Sequence, residues 1–441
     1  MTVPYERKDN EFIAWYPPAV TREAAPSVWE PAEAAFYIHI PFCTAICDYC
    51  GFAVARVKDS QPLTYMDALR REIEHYADAG VLGNYRFTCG HFGGGTPSAV
   101  DPAALTGVLD LVRERFEVTA DAEITIEVNP ISFTLEGAHQ YLDAGINRLS
   151  FGVQSFNDET LKTIGRPHRR GDVEATLGII HEVGWENFSI DLIYGVPGQS
   201  LADLRADLER VIAAGPAHVS CFRLEIIPFT ALHLKERAEM LPERLPVELL
   251  NEMDALVSET LHDAGYDDYG SFNFARPGFK SRHNDIAFVA PQAEYIGWGN
   301  SSYSFIRDHV FTNHADIYDY VEAVQDGRYP IALARRANAL ELMSRYFVLG
   351  LKFFDVPRGP FIERFGMEPE QVFGDVLERL VAQGLLAREA DSYHLTPLGR
   401  PYVNNIAKEF YVGENVGARQ HVQFVPTLTP EQIEQYAHSA R

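Results

Sequence analysis

The chain is poor in cysteine and in basic charge and has no long apolar run, and each shortage removes a class of function. Only 5 of its 441 residues are cysteine, an odd number, and three of them fall between positions 43 and 50. A secreted disulfide framework spreads and pairs its cysteines, so a reducing cytoplasm is the compartment expected. Lysine and arginine total 38 against 62 aspartates and glutamates, a formal charge of −24. Nucleic-acid backbones and anionic membranes are met by basic stripes, so partners of both kinds are excluded. An anionic substrate would need a local arginine or lysine cluster to hold it against the overall field. No stretch approaches the roughly 18 consecutive apolar residues of a membrane helix. Met1 to Asn10 is polar and does not read as a secretory signal.

What is present is an ordinary globular balance, 46% hydrophobic and 23% charged, with length for two or three domains. After a Pro-rich, aromatic arm over 1–33, short β-branched and aromatic runs alternate with segments of helical period. The strand candidates are Ala35–Pro41, Phe87–Phe92, Glu123–Val128, Arg148–Val153, Ser189–Tyr194 and His218–Ile226. Between them, Tyr65–Tyr76, Ala104–Phe116, Glu136–Asp143, Val173–Val183 and Leu201–Ala213 repeat apolar residues at i, i+3, i+4 and i+7. Six strands with helices between them predict a parallel sheet with right-handed crossovers, an α/β barrel over 34–230. Periodicity does not say whether it closes.

The alternation stops near residue 230. An extension over 231–315 begins with an amphipathic helix, Val247–His262, and passes into an aromatic, Gly-rich region with hairpin character, Tyr266–Phe305. From 316 to 412 the pattern turns helical. It ends in a helix, a turn at Gly384 and a two-strand wing (Leu386–Ala390, Ser392–Leu395), a winged-helix-like module. In so acidic a chain the wing reads as packing or substrate cover before DNA binding. The tail over 413–441 offers one short helix candidate, Pro430–His438.

The chemistry concentrates after the first strand, where Cys43, Cys47 and Cys50 stand in a Cys-x3-Cys-x2-Cys loop. Three thiolates at this spacing wrap one small inorganic cluster, and three ligands on a four-iron cube leave one iron open for reaction. The alternative is zinc, which wants a fourth ligand; His39 is the candidate, on a strand whose alternation points it elsewhere. Cys89 and Cys221 fall on or beside strands and read as small buried hydrophobes.

Further groups gather at strand ends. Gly93-Gly94-Gly95-Thr96-Pro97 closes the second strand, Glu127 the third, Gln154 the fourth and Asp191 the fifth, with Arg166 in a loop between. Consecutive glycines let backbone amides approach a ligand, and the C-terminal rim is where such barrels place their sites. Any one of these residues alone reads as a cap or an ion-pair member; in register at one rim they read as a pocket. On the sixth strand Arg223 and Glu225, two residues apart, share one face. Facing inward, Glu225 would stand near the reaction and could relay a proton; facing outward, the two simply neutralise one another.

With Tyr49 just before its last cysteine, the loop resembles the radical S-adenosylmethionine superfamily. From Tyr37 to Gly198 the chain resembles the oxygen-independent coproporphyrinogen III oxidase (HemN-like) subgroup. The likeness continues more faintly through Phe274-Ala-Arg-Pro277, Tyr295-Ile-Gly-Trp-Gly299 and Leu395 to Arg400. The resemblance implies a partial (β/α)6 TIM-like barrel and a [4Fe-4S] cluster on Cys43, Cys47 and Cys50. It implies an S-adenosylmethionine site lined by Tyr37, Tyr49, Gly94, Gly95, Thr96, Glu127, Gln154, Arg166 and Asp191. The cluster's electron cleaves the cofactor to methionine and a 5′-deoxyadenosyl radical, and subgroup members place a second S-adenosylmethionine beside the first. An electron donor such as flavodoxin or ferredoxin is implied as partner, with a small-molecule substrate.

Departures direct the choice within the subgroup. The oxidases carry a further cysteine two positions after the third, where this chain has Phe52, and their longer arm is echoed only by Phe12 to Pro17. Chaperone-like members share the aromatic residue but begin close to the cysteines, and Asn300 to Phe305 offers no haem ligand. His283 is a haem-ligand candidate, a surface or core histidine being the simpler reading. The expectation is radical one-carbon transfer, methylation or cyclopropane formation, at an sp² carbon of a specialised metabolite. Glu225, Arg166 and Gln154 form the candidate catalytic set. The alternatives are a coproporphyrinogen oxidase and a haem chaperone.

Overall fold

The computed structural model describes residues 32–57, 61–288 and 294–413. Phe12 to Pro17 of the arm and the helix expected over 430–438 lie outside them.

Six parallel strands form the heart of the molecule. In order they are Ala32–Ile40, Tyr85–Gly94, Glu117–Val128, Arg148–Gln154, Phe188–Tyr194 and His218–Arg223, each pairing with the next. Helices cross between them at the expected places, from Pro62–Asp78 to Leu201–Ala214. The last of these shows how local chemistry sets a boundary. Ser200 and Asp203 bond reciprocally to each other's backbone as a capping box, and Gly215 ends the helix in a left-handed conformation.

Strand alternation divides the barrel into two environments. Ala34, Phe36, Ile38 and Ile40 point outward and pack with Leu69 and Ile73 of the first helix. Leu149, Phe151 and Val153 of the fourth strand do the same, whereas Ser150, Gly152 and Gln154 between them stay half-buried on the interior side. The outer layer is therefore a dry apolar core, and the interior is polar and open to the mouth.

Among the described residues the sheet runs well past six strands, to twelve. Beyond the sixth lies an antiparallel hairpin, Asp267–Gly270 and Asn273–Ala275. Beyond the first lies Tyr295–Trp298, also parallel, followed by the antiparallel strands Tyr303–Ile306, His309–Asn313 and Ile331–Arg336. The region from 316 onward is thus not purely helical. The helix Arg282–Phe288 closes the N-terminal end of the barrel, with Arg282 N–H donating to Glu123 at 2.9 Å. The C-terminal module has its own core, and its wing gains a third strand, Asp355–Pro357, beside Ser392–Leu395 and Leu386–Arg388.

Candidate active site at the barrel mouth

The loop after the first strand is held on three sides. Asp48 N–H donates to Ile164 O at 3.1 Å, Leu232 N–H donates to Asp48 O at 2.7 Å, and Lys235 Nζ pairs with Asp48 Oδ2 at 2.5 Å. These contacts fix the residue between Cys47 and Tyr49, so the thiols are presented by a pinned turn. Cys43 and Cys47 are buried and Cys50 is half-buried. Thr96 Oγ1 lies 3.5 Å from Cys43 Sγ, and the Arg166 guanidinium donates to Cys47 Sγ at 3.2 Å. Burial pushes the Cys43 thiol up to about 11 and the Cys50 thiol up to about 12, so both are protonated until a metal takes the protons' place.

His39 is not a fourth ligand. Its Nε2 lies 3.2 Å from Ala53 O and its Nδ1 3.3 Å from Tyr37 OH, so both ring nitrogens are engaged. Burial lowers its pKa to about 4 and keeps it neutral.

The glycine turn fits a close backbone approach. Gly94 has φ +109°, and a Cβ there would stand 2.5 Å from the His39 ring. On Gly95 a Cβ would strike the backbone of Pro41 at 2.7 Å. The turn also packs against its neighbour: Gly95 N–H donates to Ile40 O and Thr96 N–H to Phe42 O, both at 2.8 Å.

The carboxylates and amide converge on this turn. Glu127 accepts from Gly94 N–H at 3.3 Å. Arg166 donates to Gly152 O at 2.6 Å, and a Cβ on Gly152 would lie 3.1 Å from Gln154 Nε2 and 3.3 Å from the Arg166 guanidinium. Gln154 takes φ +68°, a strained value for a residue with a side chain, of the kind that accumulates at functional sites. Asp191 accepts from Ser150 Oγ at 3.0 Å. Burial, with the charge of Glu127 nearby, raises its pKa to about 6. Tyr49 packs with Ile164, Ile193 and Val196 behind the cluster loop, and Tyr37 faces the interior.

The structure thus brings twelve sequence-predicted residues to one mouth: the three cysteines with Tyr37, Tyr49, Gly94, Gly95, Thr96, Glu127, Gln154, Arg166 and Asp191. Glu225 is the correction. The sixth strand ends at Arg223, not Ile226, and Arg223 pairs with Asp254 at 3.2 Å instead of facing Glu225. Glu225 lies beyond the strand and is exposed. Its charge is felt by Lys352 of the C-terminal module, which burial lowers to about 7 against the pull of Glu225. Sequence reasoning also missed His91, whose Nε2 lies 2.8 Å from Glu127 Oε1. Alternation could have found it, since it shares the inward face with Gly93. His283 is buried in the barrel floor against His91, a core histidine in this conformation.

Comparison with known proteins agrees with this geometry. The Radical SAM superfamily model matches residues 37–211, and the HemN C-terminal domain model matches 338–402. The heme chaperone HemW of Bacillus subtilis is 30% identical over 85% of this chain and 98% of its own length. The chain belongs to the radical SAM superfamily, in its HemN-like subgroup. The oxygen-independent coproporphyrinogen III oxidase of Escherichia coli is 28% identical over 85% of each chain. Its solved counterpart, the E. coli coproporphyrinogen III oxidase HemN, superposes with a TM-score of 0.76 over 86% of this chain and 90% of that one, at 27% identity. The family implies a [4Fe-4S] cluster and S-adenosylmethionine, and the thiols, the glycine turn and the carboxylates fit both. No helix among the described residues is long and apolar enough to cross a membrane.

Proposed function

We propose that this protein cleaves S-adenosylmethionine reductively and directs the resulting radical at a tetrapyrrole-class substrate in the barrel mouth. The observation that carries the reading is the convergence of Gly94, Glu127, Gln154, Arg166 and Asp191 beside the cysteine loop. A cluster held by Cys43, Cys47 and Cys50, with the cofactor beside it, would supply the reductive cleavage of a sulfur–carbon bond. The protein's own residues do the rest. Gly94 and Gly95 bring the backbone close to the methionine end. Glu127 and Asp191 offer negative charge to a cofactor bearing sulfonium and ammonium. Gln154, held at its strained φ, presents both a donor and an acceptor, and Arg166 ties the cluster loop to the fourth strand. A small reductant such as flavodoxin or ferredoxin would deliver the electron, in the cytoplasm.

The substrate class follows from the relatives, whose names share the tetrapyrrole. One-carbon transfer from a second S-adenosylmethionine finds no support in the names of these relatives, and Glu225, exposed beyond the sixth strand, does not supply the proton role suggested for it. Haem carriage is the second reading, favoured by the 30% identity to a heme chaperone and by Phe52 in place of a further cysteine. The burial of His283 opposes that histidine as a ready haem ligand.

The deciding experiment reconstitutes the protein anaerobically with iron and sulfide, reduces it and adds S-adenosylmethionine with coproporphyrinogen or haem. 5′-Deoxyadenosine formation stimulated by coproporphyrinogen, without S-adenosylhomocysteine, is the expected result. S-adenosylhomocysteine would restore one-carbon transfer. Stoichiometric haem binding without turnover would replace the enzyme reading with the chaperone.

A further inference from the structure

The second strand carries a side chain that the pocket described above does not account for. His91 faces the interior two positions before Gly93, and its Nε2 stands 2.8 Å from Glu127 Oε1 while Gly94 N–H donates to Oε2 at 3.3 Å. Glu127 is partly open to the mouth, with its side chain 38% exposed. A glutamate there has three rotatable bonds, and a single 3.3 Å backbone contact is too weak to fix it. The contact to His91 supplies the missing constraint. The imidazole itself is locked: Tyr37 stacks on it at 5.8 Å and 21°, and His283 covers it at 5.0 Å and 38°. Gly93 leaves room for the contact, since a Cβ there would stand 2.7 Å from Glu127 Oε1 and 3.0 Å from the His91 ring.

We propose that His91 is a positioning residue of the S-adenosylmethionine site: as the Nε2–H tautomer it donates to Glu127 and holds that carboxylate over the glycine turn. Tyr37 and His283 act on the ring plane, keeping Nε2 aimed across the strand. A carboxylate with one oxygen held by an imidazole N–H keeps the lone pairs on its open side for the cofactor's ammonium or ribose. The chain thereby pre-sets a group that otherwise loses rotamer freedom when the cofactor binds. The proposal rests on the reading of the mouth as the cofactor site, and its test separates the two.

His91→Phe keeps a stacking ring and removes the donor, while His91→Gln returns an N–H at similar reach. On anaerobically reconstituted protein of equal iron content, equilibrium dialysis should show S-adenosylmethionine binding weakened about tenfold by His91→Phe and kept within about threefold by His91→Gln. In a Glu127→Gln background His91→Phe should add little, since the two act through one bond. Wild-type affinity in His91→Phe, or an undiminished effect in the Glu127→Gln background, overturns the proposal. Nitrogen-15 NMR of labelled histidine in the cofactor-free protein gives a readout independent of the cofactor. His91 should show the Nε2–H tautomer, and Glu127→Gln should erode that preference. If the wild-type protein binds no S-adenosylmethionine, the site reading falls. A tautomer insensitive to Glu127→Gln would then also show that His91 does not hold Glu127.

Discussion

Two interiors in this chain are built on opposite principles. The core of the C-terminal module is filled with rings: Phe347 stacks on Phe410 at 4.6 Å and 10°, with Phe361 and Phe373 set edge-on at 5.9 and 5.3 Å. The barrel interior presents Tyr37 stacked on His91, His91 bonded to Glu127, and Ser150 bonded to Asp191. Ring packing of the first kind contributes stability and leaves no room for a guest. Polar lining of the second kind costs stability, because carboxylates partly removed from water are destabilised until a cationic ligand arrives. The difference teaches where each class of mutation should register, in folding for one interior and in binding for the other.

The largest effect tests the mouth. Cys47→Ser removes a thiolate and the sulfur that Arg166 contacts. Iron content after reconstitution should fall well below one cluster per chain, and 5′-deoxyadenosine formation should drop at least about a thousandfold. Secondary structure by circular dichroism should be unchanged, since the loop is pinned through Asp48 and not through the thiols.

The next effect tests the other interior. Phe347 is fully buried, and Phe347→Ala should cost about 3–5 kcal/mol in denaturant unfolding. Below the transition, S-adenosylmethionine affinity should stay within about twofold, because among the described residues the ring cluster is packed by the module's own side chains and contains none of the cofactor-site residues. A large loss of affinity would mean that the module acts on the mouth.

Asp191 sharpens the contrast, because there the two signs oppose. Its pKa is raised to about 6, first by burial and then by Glu127. A carboxyl raised on folding binds its proton more tightly in the folded state. The destabilisation therefore grows as pH rises from the unfolded value and is fully present above about 6. Asp191→Asn should stabilise the empty protein at pH 7.5 by about 1–2 kcal/mol, discounted for its partial exposure. It should also weaken S-adenosylmethionine binding. In the wild-type protein, affinity should fall as pH drops through about 6, when the proton competes with the cationic cofactor, and the variant should lose that dependence.

Much of this could be read from sequence. Strand alternation located the six barrel strands, and cysteine spacing with the glycine turn located the mouth, because both signals are local. The parts that escaped are contacts between distant residues. Nothing near Gly93 announces that His91 meets Glu127, 36 positions on. The strand Tyr295–Trp298 is short and Gly-containing, and it exists because Phe36 and Ile38 offer it a parallel edge. Ile331–Arg336 sits between two helices and is a strand only through pairing with His309–Asn313. The end of the sixth strand escaped for a similar reason. Arg223 to Pro228 reads as extended sequence, but the draw of Asp254 on Arg223 and the packing of Leu224 near Tyr49 turn the chain out of the sheet.

That turn makes the smallest prediction the most discriminating one for the barrel's boundary. The strand turns Cys221 and Arg223 outward, toward the outer core and Asp254, so an inward Glu225 would need the chain to change face after Arg223 and would then share the mouth with Glu127 and Asp191. Its neutralisation would then alter cofactor cleavage as strongly as theirs. An exposed Glu225 beyond the strand lies away from the cofactor residues, and its charge acts on Lys352 across the seam with the C-terminal module. Glu225→Gln should therefore change 5′-deoxyadenosine formation by less than about twofold, in line with substitutions at exposed positions away from buried networks. Its trace should appear on Lys352 instead. With the opposing carboxylate gone, that buried amine should titrate lower still, detectable as a downward shift of the Lys352 titration by NMR of labelled lysine. A tenfold loss of cleavage with no change at Lys352 would place Glu225 at the mouth.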